Sequence, residues 1–206
     1  MGIFNPFKKR KAPVVITIVS GLPRSGTSMM MKVLEAGGME IFTDNLRTAD
    51  EDNPKGYYEL EQVKALKDGD VAWIKDALGK VVKVISSLLE YLPATYKYKI
   101  IFMRREIAEI LASQKQMLIR RGEASDGDDQ KMEEHFQEHL KRARVWLANQ
   151  PNMEVLYVDY NALMADPDPE IKSVAEFLGL TENLDAMLAV PDKKLYRQKA
   201  EKQSEP

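Results

Sequence analysis

Cysteine is absent from this 206-residue chain. Its absence removes disulfides, thiolate nucleophiles and Cys-ligated metal sites together. Histidine and tryptophan occur only twice each, so imidazole chemistry has few candidates. Neither sign of charge prevails: the formal net charge is −2, and no global field draws the chain to nucleic acid. No apolar run approaches the roughly 18–20 residues of a membrane helix. Residues 1–7 lead into Lys8-Lys9-Arg10-Lys11 without the apolar stretch of a signal peptide. The basic run reads as a solvated tail, with contact to an anionic surface as the alternative. These absences lead to the expectation of a cytoplasmic protein with no nucleic-acid partner and no transmembrane segment. With 44% hydrophobic residues, a full core can form. One domain over 1–206 is expected, with flexible tails at 1–12 and 200–206.

The chain is organised around residues 14–34. Val14-Val15-Ile16-Thr17-Ile18-Val19 is β-branched throughout and reads as a buried strand. Gly21-Leu22-Pro23-Arg24-Ser25-Gly26-Thr27-Ser28 reads as a tight loop, followed by a helix that stops at Gly37-Gly38. A strand, a glycine-containing loop and a helix N-terminus aim backbone N–H groups at a phosphate. The loop keeps the Gly21/Gly26 spacing and the Ser28 position of the Walker A pattern but has Thr27 where the lysine belongs. That lysine serves ATP chemistry with magnesium. Here a basic side chain stands inside the loop instead, at Arg24. Met29, Met30 and Met31 read as core, with a pocket wall as the alternative.

Further along, residues 43–59 show neither helical nor strand period, and a segment of that kind in a compact domain is a candidate wall of a site. Residues 57–66 are expected to lead into a helix. Residues 79–85 read as a second strand, against a continuous helix over 71–91. Tyr98-Lys99-Ile100-Ile101-Phe102-Met103 reads as a strand delivering Arg104-Arg105 at its carboxyl end, where ligand residues gather in open α/β sheets. Helices are expected over 107–119 and 131–149. The second carries His135-Phe136-Gln137-Glu138-His139, which formally fits a zinc-peptidase motif; two histidines on a half-exposed helix face is the better reading. Val155-Leu156-Tyr157-Val158 reads as a strand ending at 159–163. A helix is expected from Pro169 and a last one over 184–189.

Pro23-Arg24-Ser25-Gly26-Thr27-Ser28 resembles the P-R/K-S-G-T-[ST] loop of the sulfotransferases. Arg105 followed eight residues later by Ser113 is similar to that family's second signature, with Ile107 replacing its usual proline. The resemblance implies a P-loop NTPase-like three-layer α/β/α fold with a central, mainly parallel sheet. It implies 3′-phosphoadenosine 5′-phosphosulfate (PAPS) as cofactor, no metal, and transfer of a sulfonate to an acceptor hydroxyl. The loop, from Pro23 to Ser28, would then bind the cofactor, with Arg105 (or Arg104 in a shifted register) and Ser113 at its 3′-phosphate. Tyr160 would reach the adenine, and Arg197, with Lys199, would close from the C-terminal side. Lys83 matches the lysine of the family's Lys-Thr-His strand end, but Ile85 stands where its histidine base would be. Pro54-Lys55-Gly56-Tyr57-Tyr58-Glu59 resembles a stretch of carbohydrate-modifying sulfotransferases. It makes Glu59 the expected base, beside Arg24 and Lys83 as catalytic residues, with Asp44 and Asp50 as rivals. Arg47 and Lys55 are candidates for positioning the acceptor. The alternatives are a nucleotide-dependent kinase with a degenerate loop and a non-catalytic nucleotide-binding protein of the same fold.

Overall fold

The computed structural model describes residues 14–44, 46, 56–123 and 128–192. Four parallel strands form one sheet in the order β2-β1-β3-β4: β1 Ile16–Gly21, β2 Val81–Lys83, β3 Tyr98–Arg104 and β4 Met153–Asp159. Every residue of β1 is buried. That is why no charged residue alternates along it: a parallel strand between two neighbours is covered on both faces. Its register pairs Ile18 with Val82 on one side and with Ile100 on the other.

The pleat divides the core in two. Ile18, Val82, Ile100 and Phe102 face one cluster, completed by Trp73, Ile74, Leu89 and Leu147. Val19, Val81, Ile101 and Met103 face the other, completed by Met30, Met31, Leu34, Ile171 and Val174. The second face is covered by α1 Thr27–Ala36, α5 Pro167–Leu178 and α6 Leu184–Leu188. The first is covered by α3 Asp129–Ala148 and by three 3₁₀ segments, Glu61–Asp68, Ala72–Ala77 and Ser86–Tyr91. A helix α2, Ile107–Arg120, follows β3. The result is the three-layer P-loop-like arrangement that the sequence implies.

Several boundaries differ from the sequence reading, each for a local reason. The expected helix through residue 66 is a 3₁₀ segment that begins at Glu61. The strand over 79–85 is real but three residues long, and Gly79 at φ 77 rules out a continuous helix over 71–91. Residues 160–165 are not a strand end but a short helix, α4 Tyr160–Ala165, whose N-cap Asp159 accepts from the Ala162 amide at 2.9 Å. Asp166 then caps α5, which starts on Pro167 rather than Pro169. Proline is favoured in a first helical turn because its missing N–H has no helical partner there.

Candidate functional site

The carboxyl ends of the four strands meet one cleft of about 660 Å³, and the loop between β1 and α1 forms its floor. Two glycines are required there by close approach. A Cβ on Gly21, at φ 146, would lie 2.7 Å from the Met103 carbonyl oxygen. A Cβ on Gly26, at φ 94, would lie 2.4 Å from the Tyr160 ring. Gly26 is also the N-cap of α1, and no side chain caps that end or adds an acid to its first turn. The amides of Thr27 and Ser28 thus begin a helix with its positive end open to an anion. The Ser25 hydroxyl is buried beside them without a hydrogen-bond partner. A buried orphan hydroxyl costs about 1–3 kcal/mol unless something accepts or donates to it, and an anion cradled by the loop fits that need.

Arg24 sits at the loop's tip in the left-handed region, φ 72. Its Nε donates to Ser113 Oγ on α2 at 2.9 Å, and its carbonyl accepts from Arg105 Nη1 at 3.0 Å. Arg105 Nε donates to Glu109 Oε2 at 2.9 Å, a buried ion pair one helical turn apart. The Arg105 guanidinium lies over the Tyr160 ring, 4.5 Å from its centroid. Burial pushes the Tyr160 phenol above its ordinary range, and Glu109 adds to this, while Arg105 and Arg24 pull the other way. Arg105 and Ser113, expected as a pair, are thus brought together through Arg24. Arg104 is exposed and its guanidinium lies over Tyr157 at 5.8 Å, so the register that brings a guanidinium to the loop is Arg105. Tyr160 lies between Gly26 and Arg105 rather than presenting an open ring.

Across the cleft, Lys83 leaves the end of β2. Its ammonium donates to the Tyr57 carbonyl at 2.5 Å and to Ser28 Oγ at 3.4 Å, and lies 3.5 Å from Glu59 Oε1. The lysine is nearly buried and the glutamate a third exposed, 9% against 33%, so the carboxylate is the solvent-facing member. Ile85 and Leu88 line the same wall. The Glu59 carbonyl accepts from Thr43 Oγ1 at 2.6 Å and from the Asp44 amide at 3.4 Å. The Asp44 carboxylate accepts from the amides of Glu61 and Leu46. Asp50, Arg47, Lys55, Arg197 and Lys199 fall outside the described residues. Met30 and Met31 are core, while Met29 lines the cleft. His139 is engaged elsewhere, with Nε2 2.8 Å from Ser86 Oγ.

Two residues of this region were not singled out from the sequence. Glu109 was legible as the i+4 partner of Arg105. Tyr58 was not. It adopts φ 53, a left-handed conformation that costs a non-glycine residue about 1–2 kcal/mol. Its hydroxyl donates to Glu35 Oε2 on α1 at 2.9 Å, and a hydrogen bond to a carboxylate returns a similar amount, about 1.5 kcal/mol. Burial and Glu35 together push the Tyr58 phenol up to about 12, so it stays a donor.

A glycine-bounded loop between strand and helix, an open helix N-terminus and cations from two strand ends belong to an α/β domain of the P-loop-like kind. A family model described as the sulfotransferase family matches residues 68–184, more than half of the chain and beyond the loop itself. The chain belongs to the sulfotransferase family. Among solved structures it is similar to mouse sulfotransferase SULT7A1 complexed with PAP, at 15% identity over 92% of this chain and 68% of that one, TM-score 0.52. It is also similar to retinol dehydratase in a complex with retinol and PAP, at 15% identity over 91% and 67%, TM-score 0.51. At this identity the likeness speaks for the fold. No curated protein matches the chain.

Proposed function

We propose that the protein transfers a sulfonate group from PAPS to an acceptor hydroxyl. The observation that carries this reading is the junction at Arg24, where Ser113 and Arg105 converge on a loop that lacks the Walker lysine. Two guanidiniums and a hydroxyl gathered beside an open helix N-terminus suit a nucleotide with more than one phosphate group. The orphan Ser25 hydroxyl and the loop glycines fit the 5′ end of such a nucleotide, and Arg105 with Ser113 suits its 3′-phosphate. That the two solved relatives named above hold PAP supports the same choice.

When bound, PAPS supplies a sulfonate on a mixed anhydride whose leaving group is PAP. The chain's own residues supply position and charge. The Lys83 ammonium, which donates to the Ser28 hydroxyl and to the Tyr57 carbonyl, would supply the positive charge that stabilises the sulfonyl oxygens. Arg24 and the α1 amides stabilise negative charge on the departing phosphate. Glu59 lies on the cleft beside Lys83 and takes the acceptor hydroxyl's proton as the oxygen–sulfur bond forms and the sulfur–phosphate oxygen bond breaks. Ile85, in the place of the family's histidine, has no titratable group, and Glu59 is the carboxylate that stands beside Lys83.

The test is incubation with sulfur-labelled PAPS and a pool of small alcohols, phenols and sugars. Label in an organic product with the wild type, and none with Glu59→Gln, is expected. PAP binding without any label transfer would favour the non-catalytic reading, and phosphate transfer from magnesium ATP would favour the kinase.

A further inference from the structure

Tyr58 lies between Tyr57 and Glu59, the two residues that meet at Lys83, and nothing in the loop signature or the strand ends assigns it a role. Residues 56–60 have no helix or sheet hydrogen bonding of their own. Yet this short extended piece supplies two groups that meet at Lys83: the Tyr57 carbonyl, 2.5 Å from Nζ, and the Glu59 carboxylate, 3.5 Å from it. Between them Tyr58 adopts a left-handed φ of 53, and its side chain runs to Glu35, near the C-terminal end of α1. Its ring packs against the cluster beneath α1. The same helix begins in the cofactor loop with Thr27 and Ser28. One rigid element thus carries the loop at one end and the anchor for the acceptor-side wall at the other.

We infer that the Tyr58–Glu35 hydrogen bond is a positioning clamp: it fixes the Tyr57 carbonyl and the Glu59 carboxylate on Lys83, so that α1 sets the distance between the cofactor loop and the base. This rests on the assignment of Lys83 and Glu59 proposed above. The clamp acts through Lys83, so it bears on the sulfonate and leaves the nucleotide's grip on Arg24, Arg105 and Ser113 alone.

The test compares the affinities of PAPS and PAP, which differ only by the sulfonate, and needs no acceptor. Tyr58→Phe keeps the ring and its packing and removes the hydroxyl. It is expected to weaken PAPS about fivefold while PAP stays within twofold. Glu35→Ala lies on an exposed helix position, leaves the core intact and should give the same selective loss. Glu35→Gln retains an acceptor oxygen and should behave as the wild type. The double variant Tyr58→Phe/Glu35→Ala should lose no more than either single change, since both break one bond. An unchanged PAPS-to-PAP ratio in Tyr58→Phe and Glu35→Ala would overturn the clamp, and so would equal weakening of both nucleotides or losses that add. Failure of the wild type to bind PAP at all would instead sink the cofactor assignment. Tyr58→Gly relieves the left-handed strain without restoring the bond; if it recovered the wild-type ratio, strain rather than the clamp would be the cause.

Discussion

The two ends of the cleft are built differently. At the loop end, Arg24, Ser113, Arg105, Glu109 and Tyr160 tie β1, β3, α2 and α4 together through contacts that are buried or nearly so. At the Glu59 end, a short stretch without regular structure is tied to α1 through Tyr58, to β2 through Lys83 and to the segment after α1 through Thr43, and its carboxylate meets solvent. The first construction suits a constant ligand, because its interlocked polar side chains hold one arrangement. The second suits a variable one, because a loop wall changes at little cost to the core. Under the function proposed above, this difference would place cofactor recognition in the fold and acceptor choice in the loop wall.

The sharpest way to separate the two ends is to damage each alone. Glu59→Gln should lower turnover about 10²–10⁴-fold, the usual worth of a positioned base, while PAP affinity and melting temperature hold; steady-state rates beside calorimetry decide this, and unchanged turnover would remove Glu59 from the mechanism. At the other end, Arg105→Ala takes the guanidinium from the buried Glu109 carboxylate. A loss of about 3 kcal/mol or more in denaturant unfolding is expected, together with loss of PAP binding. Arg104→Ala, one residue away but exposed over Tyr157, should stay within about 1 kcal/mol, the range of an exposed cation–π contact. Equal effects at 104 and 105 would contradict the register. Gly26→Ala drives a Cβ into the Tyr160 ring and should destabilise by about 1–3 kcal/mol, as overpacking does; Tyr160→Leu in the same chain should relieve part of it, read from melting curves.

The smallest effects are those of pH. The Tyr58 phenol is pushed up to about 12 and Tyr160 is raised as well, both first by burial. A raised folded-state value means stability that is whole below pH 10 and declines as pH rises through the folded value. The alkaline decline should be shallower in Tyr58→Phe. His139 shifts the opposite way, lowered by burial and then by Arg142 and His135. Its contribution is present above the ordinary histidine value near 6.5 and is lost as pH falls through the lower folded value. His139→Gln should flatten the acid side of the stability profile and leave PAP binding alone.

Much of this was legible in the sequence because it is local. β1 declares itself by β-branching, the loop by glycine spacing, α1 by its glycine stop, and Arg105 by its place at a strand end. What escaped depends on contacts between distant segments. The 3₁₀ segments bury Val63, Leu66, Trp73 and Ile74 with a helix-like apolar spacing that does not distinguish 3₁₀ from α. α4 is a short helix whose formation owes more to the Asp159 cap and to Tyr160 docking on Gly26 than to propensity. Tyr58 was invisible because a left-handed tyrosine has no sequence signature; its partner Glu35 lies 23 residues away. The two backbone amides that donate to Asp44 come from residues 46 and 61, and the second of these contacts has no local sequence signature.

The central claim is that the junction of Arg24, Arg105 and Ser113 recognises a 3′-phosphate. The direct measurement is calorimetric affinity, with a metal chelator present, for PAP against adenosine 5′-phosphate, which lacks only that group. Arg105→Lys serves as the variant, since it keeps the charge beside Glu109 and removes the planar fork. The account predicts that the wild type binds PAP at least about tenfold tighter, the least that a charge-assisted bond of about 1.5 kcal/mol or more provides, and that the preference collapses in Arg105→Lys while adenosine 5′-phosphate is unaffected. Equal affinity for the two nucleotides, or a preference for magnesium ATP over both, would contradict it.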